Sequence, residues 1–298
     1  MPSIINAVAG GAGGLISSGD TSGALQIQTG GVTAITVDAS QNVSFANTLS
    51  LGAVSATSVT ASSVTVPTGT LYPLVSGANI SLATTSFTGS TSGVSTTLTA
   101  STVTGTIQVG QVITGANIVA GTSIIAQVSG TTGGAGTYTL SQASSGTVSG
   151  TITVVGQDLY NIPSWAKRVT VLFNNISTGT QSNYLVQIGS GSIDTTGYNS
   201  SQSFQGGSGN TTSGTTSTAG FIFYNGGSSY SIYGAMRISL IPGGPWVCDA
   251  TIGTQNVNGA ITTTSGGIKT LSGAIDRVRI TTVGGATFAA GTINLMWE

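Results

Sequence analysis

Residues 276–298, DRVRITTVGGATFAAGTINLMWE, carry the pattern that decides the fold. RVRITT at 277–282 and TINLMW at 292–297 are short runs rich in branched side chains, with glycines between them. In the first run Val278 and Ile280 face inward while Arg277 and Arg279 face out, the alternation of a sheet wetted on one side. Working back along the chain, AMRISLI at 235–241, FIFY at 221–224, YLVQI at 184–188 and RVTVLF at 168–173 read the same way. These strands and their Gly/Ser/Asn turns predict an antiparallel β-sandwich of jelly-roll type over residues 156–298, large enough to bury its own core.

The preceding stretch, residues 87–155, reads as five or six brief strands with turns every eight to twelve residues. Its inward candidates are Leu98, Val103, Ile107, Val109, Ile113, Ile118, Ile124, Val128, Tyr138 and Leu140. Spacing of this kind predicts a small β-barrel or sandwich. The stretch contains no charged residue, so no acid–base or metal chemistry can be placed in it.

Residues 1–86 differ again. After the glycine-rich MPSIINAVAGGAGGLI, expected to be an extended arm that orders on a partner, short β runs alternate with turn clusters up to Phe45. In TLSLGAVSATSVTASSVTV the apolar residues fall at Leu49, Leu51, Val54, Ala56, Val59, Ala61, Val64 and Val66, a period of five residues. That period fits neither an amphipathic helix nor a plain strand. It suits strand-like steps joined by kinks that return one small-residue face to an axis; chance patterning in a low-complexity tract is the alternative. A single copy buries too little surface to offset its ordering entropy, so partner chains are implied, most simply identical copies in a homotrimer. PTGTLYPLVSGAN, stiffened by Pro67 and Pro73, links this stem to the middle module.

Composition narrows function further. Among 298 residues there are only six Lys and Arg, seven Asp and Glu, no His and one Cys. Without His, the commonest general base and metal ligand are missing. One Cys forms neither an intrachain disulfide nor a thiolate cluster. All the basic residues (Lys167, Arg168, Arg237, Lys269, Arg277 and Arg279) follow position 166, so no basic stripe for nucleic acid runs through the first half. No apolar segment suits a membrane span. The abundance of Val, Ile and Thr argues for ordered β structure, not disorder.

Three segments resemble one protein class. GGLISSGDTSGALQIQTGGVTAITVDASQNVSF (13–45) is similar to the N-terminal part of tail-fibre and related virion proteins of tailed bacteriophages. GTIQVGQVITGANIVAGTSIIAQVSG (105–130), followed by GTYTLS, resembles a small β module repeated across phage structural proteins. NIPSWAKRVTVLF (161–173) and the closing DRVRITTVGGATFAAGTINLMWE resemble the C-terminal domain of phage fibres. The resemblance implies a trimeric, surface-exposed fibre on the virion, placed on the tail. Residues 1–45 would attach to another virion protein, a tail or portal-adaptor component, and the C-terminal domain would bind a host surface glycan or protein. Head fibres exchange the same modules, so a capsid decoration protein is the alternative, and a polysaccharide-degrading spike a weaker one.

Chemistry on such a spike needs two carboxylates flanking one glycosidic bond. Asp194, Asp249 and Asp276 are the available members in the C-terminal domain, yet none lies in a catalytic motif, and each reads better as a turn or strand-end residue. The expectation is therefore a non-enzymatic protein without cofactor or metal. Cys248 and the tryptophans Trp246 and Trp297 are read as core or interface residues. Receptor candidates are the aromatics of the Gly/Ser/Thr/Asn-rich span 192–234: Tyr198, Phe204, Tyr224, Tyr230 and Tyr233. Exposed rings beside hydroxyl and amide groups match the two faces of a sugar. Tyr198 and Phe204 are expected to be exposed, while Tyr224, Tyr230 and Tyr233 either join them or pack on the core.

Overall fold

The computed structural model describes residues 24–29, 32–46, 64–66, 69–71, 75–206, 212–224, 227–228, 230–256 and 259–298. Contacts divide the chain into two units, Met1–Ser62 and Ser63–Glu298. Among the described residues every regular element is a strand and no helix occurs. The chain is all-β. The extended arm before residue 24 and the five-residue pattern up to residue 63 lie outside the described residues.

In the first unit β1 (Leu25–Thr29), β2 (Val32–Val37) and β3 (Val43–Phe45) form an antiparallel meander. The β2–β3 turn is built by Asp38. Its Oδ1 accepts the Ser40 and Asn42 backbone N–H groups, both at 2.9 Å, and its Oδ2 accepts the Asn42 side-chain amide. Those donors hold its carboxyl below the usual range, the Asn42 side chain contributing most. Residues directly opposite in a ladder share a face. Leu25–Val37–Val43 and Ile27–Ile35–Phe45 are therefore two apolar rows on one side of the sheet. Leu25, Ile27, Val43 and Phe45 are exposed there, Leu25 at 49% and Val43 at 56%.

The second unit begins with the hairpin β4 (Val64–Val66) and β5 (Gly69–Leu71). Next, β6 (Val75–Ser76) and β7 (Ile80–Ser81) pair with the last strand of the chain, and Leu82 enters the C-terminal core. Residues 75–82, the end of the linker PTGTLYPLVSGAN and of the N-terminal region read as 1–86, thus join the sandwich. The middle module consists of β8 (Ser86–Ser90), β9 (Thr97–Thr104), β10 (Gln111–Thr114), β11 (Ile124–Gly130) and β12 (Gly136–Leu140). The first half of β13 (Ser149–Tyr160) completes it. Leu98, Ile107, Ile113, Ile124, Tyr138 and Leu140 form its core with Phe87 and Ile152, and Val103 and Ile118 pack against it. Val109 and Val128, also expected inside, are exposed at 52% and 65%. For Val128 the cause is bulging of β11: a skip between Ile124 and Ala126 sets Gln127 opposite the buried Tyr138, and a second between Gln127 and Ser129 leaves Val128 without an opposite residue.

The sandwich comprises β14 (Arg168–Thr178), β15 (Tyr184–Ser190), β16 (Ser192–Ile193), β17 (Asn199–Gly206), β18 (Thr212–Ser217) and β19 (Phe221–Phe223). It is completed by β20 (Ser231–Leu240), β21 (Trp246–Asn256), β22 (Gly259–Lys269), β23 (Arg277–Thr282) and β24 (Phe288–Trp297). One sheet runs β18-β17-β22-β21-β20-β14-β24-β6. The other runs β11-β12-β9-β8-β13-β23-β15-β16, with β19 on β15. Between them lie Val169, Val171, Phe173, Met236, Ile238 and Ile280, all buried. Tyr184 stacks on Phe223 at 4.9 Å, and Phe223 meets Phe173 at 5.0 Å.

The second sheet runs without a break from the middle module into the sandwich because β13 serves both. Its residues 149–153 pair with β8, and its residues 156–160 with β23. Here the outward reading of Arg279 fails. The side chain does leave the sandwich core, but it is 7% exposed because the middle module covers that face. Asp158, opposite it on β13, takes Nε at 2.6 Å and Nη2 at 2.8 Å in a bidentate pair. Nη2 also donates to the Gly121 carbonyl of the module at 3.0 Å. Gly121 has φ +80°, and a Cβ there would sit 3.1 Å from Arg279 Nη1. The Tyr160 hydroxyl donates to Asp158 Oδ2 at 3.0 Å and accepts from Ser123 across the same junction.

Asp158→Asn keeps the shape but strips the buried guanidinium of its counter-charge. We expect it to lower unfolding free energy by about 3–5 kcal/mol, and Asp158→Leu/Arg279→Met to recover most of that loss. Urea denaturation of the three proteins checks this. A loss below about 1 kcal/mol would show that the junction does not depend on the pair.

Candidate functional site

The span 192–234, expected to be a set of long loops, is mostly strand: β16, β17, β18, β19 and the start of β20. Residues 207–211, 225–226 and 229 lie outside the described residues. Tyr198 is not an exposed platform. It is 3% exposed and packs edge-on against Phe221 at 5.1 Å. Its hydroxyl accepts the Ile188 N–H at 2.7 Å and donates to the Asp194 carbonyl at 3.0 Å. The Lys269 ammonium lies 5.3 Å from its ring centre and pairs with the Asp194 carboxylate at 2.8 Å. Burial raises the phenol well above its usual range. Tyr198 is a structural anchor between the sheets, and a polar tip with three partners allows so large a side chain to be interior.

Phe204 and Tyr224 do come together. Phe204 belongs to the inward row of β17, below Ser200 and Gln202, and Tyr224 follows β19. Both are half-buried, and their rings stack at 4.0 Å with 11° between planes. Tyr230 is half-buried in the turn before β20, where its N–H donates to the Gly227 carbonyl. Tyr233 is 41% exposed and lies opposite Gly253, on the outer face of the sheet, donating to Asn175 Oδ1. The five aromatics therefore do not form one site: one is buried, two stack together, and Tyr233 faces out.

Beside Phe204, the outer face of β17 and β22 carries two adjoining shallow depressions of about 260 and 180 Å³. Ser203 and Thr264 line both, and their hydroxyls bond to each other at 3.0 Å. The surroundings are Ser, Thr, Gln and Gly, so the furrow is uncharged and rich in groups that both donate and accept.

The largest described cavity was not anticipated. A cleft of about 430 Å³ opens where the middle module meets the sandwich. Asp158, Tyr160, Arg277 and Arg279 line it from β13 and β23, with Ile125 from the module and Ile193 from the β15–β16 hairpin region. The Arg277 guanidinium lies 5.7 Å from the Tyr160 ring centre. It is held in a bidentate pair by Asp276, whose Oδ2 also accepts the Gly191 N–H at 3.0 Å. Burial, and then the Asp158 charge, push the Tyr160 phenol up to about 12. Sequence offered one trace of this cleft, the arginines two apart in an otherwise nearly uncharged chain. The module residues that meet them are more than a hundred positions away, and nothing local shows that pairing.

The acidic side chains are distributed as cation partners. Asp158, Asp194, Asp249, Asp276 and Glu298 pair with Arg279, Lys269, Arg237, Arg277 and Arg168 respectively. Asp249 sits in mid-strand on β21, not beside a turn, while Asp276 precedes β23 in the other sheet. Among the described residues, no three His, Cys, Asp or Glu side chains are grouped as a metal site. Comparison of the chain with protein-family models, with curated proteins and with solved structures finds no match.

Cys248 is buried, and burial followed by the neighbouring Asp249 charge pushes its thiol up to about 12. At pH 8 the thiol stays protonated and shielded, so modification by a disulfide reagent should proceed only in denaturant. Fast labelling of native protein would contradict this environment. For Asp276 the Arg277 guanidinium holds the carboxyl below its ordinary range. Its stabilisation is complete above the unfolded value of about 4 and disappears as pH falls through the lowered native value. The stability difference between the protein and Asp276→Asn should then be flat from neutrality to about pH 5, amount to less than about 1 kcal/mol after solvent screening, and vanish in stronger acid. Denaturation midpoints across that range measure it.

Proposed function

We propose that this chain is a non-catalytic structural protein of a tailed-bacteriophage particle, a trimeric tail fibre whose sandwich meets the host surface. The observation that carries the assembly part of this reading is the bare apolar face of the N-terminal meander. A lone three-stranded sheet needs its apolar face covered to be stable in water. Leu25, Ile27, Val43 and Phe45 are exposed along that face, with Ile35 and Val37 between them. Identical copies meeting face to face would cover it, in the part of the chain whose sequence resembles virion-attachment segments.

The host-binding part rests on the C-terminal half of the chain. The uncharged furrow on the outer face of β17 and β22 offers a glycan reversible hydrogen-bonding groups, and Phe204, whose inward ring is held by stacking on Tyr224, supports the strand that lines it. A rigid sandwich suits presentation of such a surface, because its groups are already ordered before a ligand arrives.

Light scattering on the purified full-length chain should give the mass of three copies, and Ile35→Asp should shift it toward one. The purified chain should also compete with phage adsorption, and Phe204→Ala should lower that competition by about tenfold or more. A monomer at all concentrations would overturn the assembly reading. A trimer that neither binds cells nor competes would leave the fibre architecture standing and remove the receptor role.

A further inference from the structure

We propose that the cleft between the middle module and the sandwich is a second binding site, made for an uncharged sugar ring. The inference stands apart from the fibre reading and from the Phe204–Tyr224 end. Three observations converge on it.

The first is size and build. At about 430 Å³ the cleft exceeds the other described depressions. It falls within the range of about 300–1,000 Å³ typical of small-ligand pockets. Its polar side is set by the Asp158–Arg279 pair and the Asp276–Arg277 pair, each bidentate, so these groups are oriented before any ligand arrives.

The second is the supply of hydrogen bonds. Each guanidinium uses Nε and Nη2 on its carboxylate, and among the described residues Nη1 of both makes no hydrogen bond. Hydroxyls of Ser192 and Thr195 stand on the same cleft. The apolar side chains Ile125, 44% exposed, and Ile193 line it as well. A cavity lined by both oriented donors and branched aliphatic carbon fits a ring that carries hydroxyls at its edge and C–H groups on its face.

The third is charge. Two arginines and two aspartates at this site cancel pair by pair. An anionic ligand would lose hydration without meeting net positive charge, and a cationic one would find both carboxylates occupied. A neutral polyol loses least on entry, because its hydroxyl oxygens take the free N–H groups.

Ligand-observed NMR on the full-length chain, with glucose, galactose, N-acetylglucosamine, glucuronate and glycerol as probes, tests the proposal. At least one neutral sugar should bind, more strongly than glucuronate and than glycerol, with affinity changing by less than about twofold between low and high salt. Arg277→Gln should weaken it about tenfold, as expected for a lost charge-assisted hydrogen bond. Ile125→Asp, at a position 44% exposed, should weaken it comparably, and Val94→Asp, 68% exposed and outside the cleft, should leave it unchanged. Binding of glucuronate alone with steep salt dependence would overturn the assignment, as would absence of binding by every sugar. Sugar binding lost in Phe204→Ala but kept in both cleft variants would place the sugar at the sandwich end and overturn it equally. Loss of host-cell adsorption in Phe204→Ala bears only on the receptor role.

Discussion

The second unit depends on one buried ion pair. Asp158 and Arg279 lie opposite each other on β13 and β23, with side chains 2% and 8% exposed. Removing two charges from water costs several kcal/mol each, and their attraction offsets this only when the geometry is good and the remaining polar atoms are paired. Here Arg279 also reaches the Gly121 carbonyl, while Asp158 accepts from Tyr160, which in turn meets Ser123. Apart from the Tyr160–Asp158 bond within β13, each of these bonds either joins adjacent strands of the shared sheet or spans from it to the middle module. A one-residue slip of β13 on β23 would turn the pair toward the sandwich core and set branched carbon in its place. The pair thus fixes register, and through Gly121 it fixes how the module sits on the sandwich.

That coupling explains what sequence could and could not disclose. The strands at 168–173, 184–188 and 277–282 were legible because branched residues alternate in them, and the two hydrophobic cores fall where composition changes, near residue 155. The hairpin of β21 and β22 escaped notice since its inward row, Trp246, Cys248, Ala250 and Ile252, then Thr263 and Ser265, mixes sizes and polarity. Its partner β17 buries Ser200 and Gln202, which carry no strand signature at all. Tyr198 reads as a loop aromatic beside Gly197, and only the fold supplies the three partners that draw its hydroxyl inside. Val128 follows its alternation until the bulge shifts the phase. Local pattern reports propensity, whereas these positions are decided by contacts distant in sequence.

The same scarcity of charge shapes the surface. With so few charged groups, and the acidic ones from Asp158 onward each paired with a cation, the exposed faces are dominated by Ser, Thr, Asn and Gln. Such a surface presents hydroxyl and amide groups that keep their hydrogen-bonding character across a wide range of pH. The furrow on β17 and β22 and the cleft at the module junction are two forms of it, one open and flat, the other walled. They belong to different sheets of the sandwich, so one could be occupied without altering the other.

A surface so poor in charge has fewer means of keeping strand edges apart, because lysines along an edge are the usual safeguard. The large unit manages its edges by other routes. Its nine-stranded sheet ends on one side in the two short strands β6 and β7, and on the other in β18, a row of Thr, Ser and Gly with little apolar surface to recruit another chain. The meander lacks the second device, and only β3 is short. Its described strands carry no charged side chain, β1 and β3 are both edges, and one face is a patch of Leu, Ile, Val and Phe. What is guarded against in one unit is left open in the other. Under the assembly proposed above, copies of the same chain would cover that bare face and those bare edges, and such copies are always present at equal number.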